Sequence, residues 1–106
     1  MLFELRQYTC TPGNREAFIQ VMEEDVIPFQ VSKGMVILAS FAGEEDESAY
    51  VWIRRFKDEA ARVQLYDAVY KSDHWNTVIA PKIAHMLVRD QIKVTRLTPT
   101  PKSPLQ

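Results

Sequence analysis

YVWIRRFKDEAAR, residues 50–62, alternates and then stops alternating. Tyr50, Trp52, Arg54 and Phe56 fall on every second position, so in a strand they share one face, with Val51 and Ile53 on the other. Asp58 and Glu59 follow, acids that suit the positive end of a helix dipole. The stretch predicts a strand with one aliphatic face and one aromatic, partly cationic face, running directly into a helix. A face with three aromatics and an arginine is suited to covering another layer, lining a cavity, or both.

Working outward, Leu2 to Thr9 also alternates, with Phe3, Leu5 and Gln7 on one side and Glu4, Arg6 and Tyr8 on the other. Thr11-Pro12-Gly13-Asn14 breaks the chain, and Asn14 is the expected side-chain cap of a helix from about Arg15 to Ser32. Phe18, Val21, Met22, Val26 and Phe29 form its apolar stripe, which Asp25 interrupts. Asp25 is expected to be paired, solvated or a general base. Pro28 should bend this helix, and Lys33-Gly34 should end it. Met35 to Phe41 reads as a strand covered on both faces, joined by the acidic turn Ala42 to Ser48 to the strand Tyr50 to Phe56 as an antiparallel hairpin.

A second helix is expected over Asp58 to Tyr70 with Ala61, Leu65, Ala68 and Val69 inward. Ser72 or Asp73 caps a further short helix carrying Trp75, Val78, Ile79 and Ile83, bent at Pro81. Gln91 to Leu97 is the fourth strand. The order strand, helix, strand, strand, helix, strand defines an α+β, ferredoxin-like βαββαβ fold: a four-stranded antiparallel sheet with helices on one face. The domain is expected to occupy residues 1–98, with 99–106 a flexible tail rich in proline (Pro99, Pro101, Pro104).

With 106 residues the chain holds one domain and one core. Thirteen basic and fourteen acidic residues leave a formal charge of -1, which gives no electrostatic reason to expect nucleic acid or a membrane as partner. No apolar run is long enough to span a bilayer, and a cytoplasmic location is the expectation. Cys10 is the only cysteine and reads as a semi-buried thiol rather than a nucleophile. His74 and His85, eleven residues apart, make no metal-binding pattern, and three isolated glycines make no phosphate loop. No metal and no cofactor is expected.

Helices cover only one side of such a sheet. The hairpin strands are apolar or aromatic on both sides, and each large side chain left in water forfeits about 1.5–3 kcal/mol of burial. Two sheets packed face to face, about 10 Å apart, would cover the bare side, so a homodimer is expected.

These pieces resemble the NIPSNAP family. The resemblance is carried by Glu4-Leu5-Arg6-Gln7-Tyr8 with Pro12-Gly13 and Pro28, by Trp52-Ile53-Arg54-Arg55-Phe56 with Asp58-Glu59-Ala60-Ala61-Arg62, and by His74-Trp75. It covers roughly Leu2 to Leu97 and implies a dimeric α/β barrel, with a ligand cleft between sheet and helices. It does not imply a particular chemistry, and catalytic residues stay unassigned. The small monooxygenases of that superfamily carry a histidine on the helix after the third strand. The matching position here is Leu65, which weakens an oxygenase reading.

Candidate ligand-binding residues are Arg6, Tyr8, Trp52, Arg54, His74 and Trp75. Tyr8, Tyr50 and Trp52 line a pocket or fill the core between two sheets. Arg6 and Arg54 hold a carboxylate or carbonyl, or form structural pairs with Glu4 or Asp25 or stack on rings. His74 and Trp75 are placed near the mouth, His74 exposed or lid-like. Arg62 is read as a clamp to Asp58 or Glu59. Three functions remain: binding of a small apolar or aromatic metabolite; a cofactor-independent monooxygenase or isomerase; and a structural dimer without ligand.

Overall fold

The computed structural model describes all residues, Met1–Gln106. Strands β1 (Leu2–Thr9), β2 (Val36–Ala42), β3 (Ala49–Phe56) and β4 (Lys93–Leu97) form one antiparallel sheet in the order β2-β3-β1-β4. Helix α1 (Arg15–Ser32) follows β1 and α2 (Glu59–Tyr70) follows β3, as the sequence pattern requires of a ferredoxin-like fold. A third helical segment, α3, carries a π turn (Trp75–Ile79), an α-helical turn (Ala80–Ile83) and a 3-10 turn (Ala84–Met86).

The expected bends at Pro28 and Pro81 take a specific form. Helix α1 is α-helical over Arg15–Val21, forms a π turn over Met22–Val26, and is α-helical again over Ile27–Ser32. The Ile27 N–H bonds five residues back to the Met22 carbonyl, and Ala80 N–H does the same to Trp75. Each donor immediately precedes a proline. Proline has no N–H for the carbonyl four residues back, and the widened turn absorbs that lost bond.

Gly34 ends α1 in a Schellman motif: Met35 N–H bonds the Gln30 carbonyl at 3.0 Å and Gly34 N–H bonds Val31 at 3.0 Å, with Gly34 at φ +105. A Cβ there would also lie 3.3 Å from Leu65 Cδ2. Gly34→Ala is therefore expected to cost about 1–2 kcal/mol, read as a lower urea midpoint. The cap at the other end differs from expectation. Asn14 occupies the cap position, but its side chain makes no capping bond; Nδ2 donates instead to Thr11 Oγ1 at 2.7 Å, rigidifying the turn. Asp58 does cap α2, accepting from Ala61 N–H at 2.8 Å.

Phe18, Met22, Val26 and Ile79 from the helices pack on Tyr8, Tyr50 and Trp52 from the sheet. A second cluster joins Met35, Phe56 and Val69. The aromatic face of β3 is thus the helix-covered face, and Tyr8, Tyr50 and Trp52 fill the core within one chain rather than between two sheets. Ala68 points outward; Tyr66 and Tyr70 take the inward face with Val69.

The other face of the sheet carries no helix. By register it presents Phe3, Leu5 and Gln7 beside Arg55, Ile53 and Val51, flanked by Phe41 and Val36 on β2 and Thr95 and Leu97 on β4. Phe41 is 55% exposed, Val36 39% and Leu97 45%. β2 is an edge strand with a register shift between Ile37 and Ala39, and within one chain it is not covered on both faces. Residues 99–106 form no helix or strand; they turn back onto one end of this open face. Leu105 and Ser103 meet Phe3, Ile53 and Leu97 around a shallow pocket, and Arg55 Nη1 donates to the Gln106 carbonyl at 2.8 Å.

Candidate functional site

The site grows from the pairing of β1 with β3. Glu4 lies opposite Arg54, Arg6 opposite Trp52, and Tyr8 opposite Tyr50, all on the helix-covered face. Helix α2 brings Arg62, Tyr66 and Tyr70 over them at spacings of four, one helical face. Helix α1 contributes Gln30.

Arg54, Glu4 and Gln30 are buried together. Arg54 Nη2 donates to Glu4 Oε1 and to the Tyr66 hydroxyl, each at 2.7 Å. Its Nη1 donates to Tyr70 at 2.7 Å and Gln30 Oε1 at 3.0 Å. The Tyr66 hydroxyl in turn donates to Glu4 Oε2 at 2.6 Å. The guanidinium also lies 4.7 Å from the Trp52 ring centroid. Burial works against the Arg54 charge, but Tyr70, Tyr66 and Glu4 more than offset it and hold its pKa above the ordinary value. Of the partners expected for an arginine on this face, Glu4 is the one found. Asp25 instead pairs with Lys82 at 2.9 Å, partly in solvent. Arg62 clamps Glu59 at 2.7 Å as expected, stacks 4.7 Å from the Tyr66 ring, and approaches Glu4 at 3.9 Å. Glu59, held down to about 2 chiefly by its hydrogen bond from Arg62, also pairs with Arg96 and so ties α2 to β4.

Burial pushes the Tyr66 phenol up to about 12; the Arg54 charge opposes this and the bond to Glu4 adds to it. Burial likewise pushes Tyr50 up to about 12. In the unfolded chain both phenols lose their protons near the ordinary value of 10, so above that pH the folded state holds more protons than the unfolded one. Stability is then complete below about pH 10 and falls as pH rises through 12. The expected result is a lower urea midpoint at pH 11 than at pH 9, with two phenol ionisations near pH 12 in the ultraviolet titration of the folded chain. Equal midpoints would contradict it. Cys10 is buried at the end of β1, and burial raises its thiol pKa, the opposite of an activated nucleophile.

Beside the Arg54 cluster, between sheet and helices, is a cavity of about 270 Å³. That is the small end of ligand-site volumes. Arg6, Tyr8 and Trp52 form its floor; Tyr66, Tyr70 and Trp75 form one wall; Ala80, Ile83 and Leu87 from α3 and the segment after it close the far side. Arg6 Nε donates to the Tyr8 hydroxyl at 2.7 Å, and Arg89 stands at an exposed position of the lining. Trp52 is buried and its Nε1–H has no acceptor.

Four of the six candidates from the sequence thus meet at one cavity: Arg6, Tyr8, Trp52 and Trp75. Arg54 lies behind its wall, saturated at both terminal nitrogens. His74 lies outside, exposed, its ring 4.8 Å from that of Phe29. Leu65 is also outside, packed against the Met35–Phe56–Val69 cluster. Tyr66, Tyr70 and Gln30 were not singled out by the sequence reading. The spacing of Arg62, Tyr66 and Tyr70 was the available signal for α2; Gln30 had none.

A four-stranded antiparallel sheet with a helix-side cavity defines a ferredoxin-like α+β protein, a fold that recurs in small monooxygenases. The NIPSNAP family profile matches residues 3–104, and the chain belongs to that family. A NIPSNAP family protein of unknown function from Agrobacterium tumefaciens is 23% identical, with 100% of this chain and 94% of that one covered and a TM-score of 0.89. An uncharacterised NIPSNAP domain protein from Burkholderia xenovorans is 17% identical, with 98% and 99% covered and a TM-score of 0.86. A putative antibiotic biosynthesis monooxygenase from Nitrosomonas europaea is 11% identical, with 92% and 97% covered and a TM-score of 0.69. No curated protein matches the chain. No helix is long and apolar enough to cross a membrane.

Proposed function

We propose that this chain binds a small, largely apolar or aromatic metabolite in the cavity between sheet and helices, and that it works as a cytoplasmic homodimer paired through the open sheet face. The observation that carries the binding reading is the cavity itself: twelve of its fourteen lining residues are apolar or aromatic, yet Arg6 and Arg89 are there too. An apolar enclosure with a few convergent polar groups is the usual make-up of a ligand site. A dimer without ligand would have no need of that space. The dimer reading is supported by Leu5, Val51 and Ile53 at the centre of the uncovered face and by Phe41, Val36 and Leu97 around them.

A second reading, a cofactor-independent monooxygenase or isomerase, is favoured by the fold likeness to the Nitrosomonas protein. It needs a group able to take a proton from the substrate. The cavity lining has no histidine and no carboxylate, and its ionisable groups are arginines and tyrosines, so the binding reading is preferred.

A thermal-shift screen of aromatic and apolar metabolites, followed by turnover assays on the hits, tests both. Hits should lose their shift in Ala80→Leu, which adds volume at the cavity wall; unchanged shifts in that variant would place the ligand elsewhere. Turnover of a hit would favour the enzyme.

A further inference from the structure

Of the three tyrosine hydroxyls in the cavity lining, Tyr66 gives its proton to Glu4, and the other two have protons to give. Tyr8 accepts from Arg6 and donates to no protein atom. Tyr70 accepts from Arg54 Nη1 at 2.7 Å and from Gln30 Nε2 at 3.3 Å, and its own proton is likewise ungiven. The Arg6 and Arg54 guanidiniums have no lone pair to offer these hydroxyls, so an acceptor for their protons is not supplied by their nearest polar neighbours. Leaving such a donor buried and unpaired is costly.

The charges agree. Arg6 and Arg89 are the only charged residues in the lining. The nearby acids are already paired: Glu4 with Arg54 at 2.7 Å, Glu59 with Arg62 and Arg96, Asp25 with Lys82. Arg6 has hydroxyl partners, Tyr8 at 2.7 Å and Tyr66 at 3.5 Å, but no carboxylate. A half-buried cation without a counter-ion, beside ungiven protons and in an otherwise apolar space, is matched by an anion with an apolar body.

We propose that the ligand is an aromatic monocarboxylate, its carboxylate held by Arg6 with help from the Tyr8 and Tyr70 hydroxyls, and its ring among Phe18, Trp75 and Ile83. This rests on the reading of the cavity as the binding site. It also separates the two arginines of this face: Arg6 touches ligand, whereas Arg54 positions Tyr66 and Tyr70.

Calorimetric titration of the full chain with 1-naphthoate and cinnamate, and with their uncharged amides, tests it. The acids should bind about tenfold or more tightly than the amides at pH 7, the ratio expected when a charge-assisted bond is replaced by a neutral one. Arg6→Gln should abolish that preference. Tyr8→Phe, which removes the hydroxyl and keeps the ring, should weaken the acids more than the amides, and covers the case in which Arg6→Gln fails to fold. Amides binding as tightly as acids would overturn the carboxylate inference and leave the cavity reading standing. An acid preference unchanged in both variants would place the anion elsewhere and overturn it too. No binding by any of the four compounds would overturn both.

Discussion

Arg54→Met is expected to destabilise the folded chain by about 3–5 kcal/mol, the usual consequence of removing one partner from a buried ion pair. A domain of this size has only about 5–15 kcal/mol in total, so the urea midpoint should fall by about a fifth or more. The size of the effect follows from what the guanidinium holds. It neutralises Glu4, whose one other cation is Arg62 at 3.9 Å and whose one other hydrogen-bond donor is Tyr66, and it donates to Tyr66, Tyr70 and Gln30. Methionine fills much of the same volume but leaves Glu4 as a buried charge next to phenols that have lost their donor. Glu4→Gln combined with Arg54→Met removes both charges and should be more stable than Arg54→Met alone. A loss below about 1 kcal/mol in Arg54→Met would mean that the cluster is wetter and more adaptable than its burial indicates.

Val51→Glu is expected to convert the protein from twice the chain mass to the chain mass at micromolar concentration, measured by light scattering. Val51 is at the centre of the open face, opposite Gln7 on β1 and Phe41 on β2. In a two-fold assembly a single substitution there acts twice, placing two carboxylates in one apolar interface where neither has a partner. The folded monomer should survive, because the helix-covered core does not include Val51. Wild-type protein already at the mass of one chain would contradict the dimer outright.

The contrast between these two sites shows how far the sequence could be read. Period-two alternation in Tyr50–Phe56 separates two faces of a strand unambiguously, and with Leu2–Thr9, the Gly34 stop and Asp58 it was enough for the element order. Alternation alone does not say which face the helices cover. That depends on how α1 and α2 cross the sheet, so Tyr50 and Trp52 were equally compatible with a core between sheets. The edge position of β2 was hidden for the same reason: an apolar run looks alike whether it is covered by its own chain or left open. Arg6, Tyr8, Trp52 and Trp75 were legible as cavity candidates because aromatics and arginines on one strand face are already unusual. Gln30 was not, since a polar residue on an amphipathic helix reads as solvent-facing until Arg54, twenty-four residues later, is brought to it. His74 was drawn toward the site by its neighbour Trp75; one residue along a helix is about 100° of rotation, and that carries it to Phe29 and solvent.

The most direct test of the helix-side cavity as a binding site is a nitrogen–proton correlation spectrum recorded during titration with 1-naphthoate. The indole N–H signals of Trp52 and Trp75 should move together, while the backbone amides of Phe41, Val51 and Ile53 on the open face stay in place. Movement confined to those open-face amides, with both indoles unchanged, would show that the helix-side cavity is not the site.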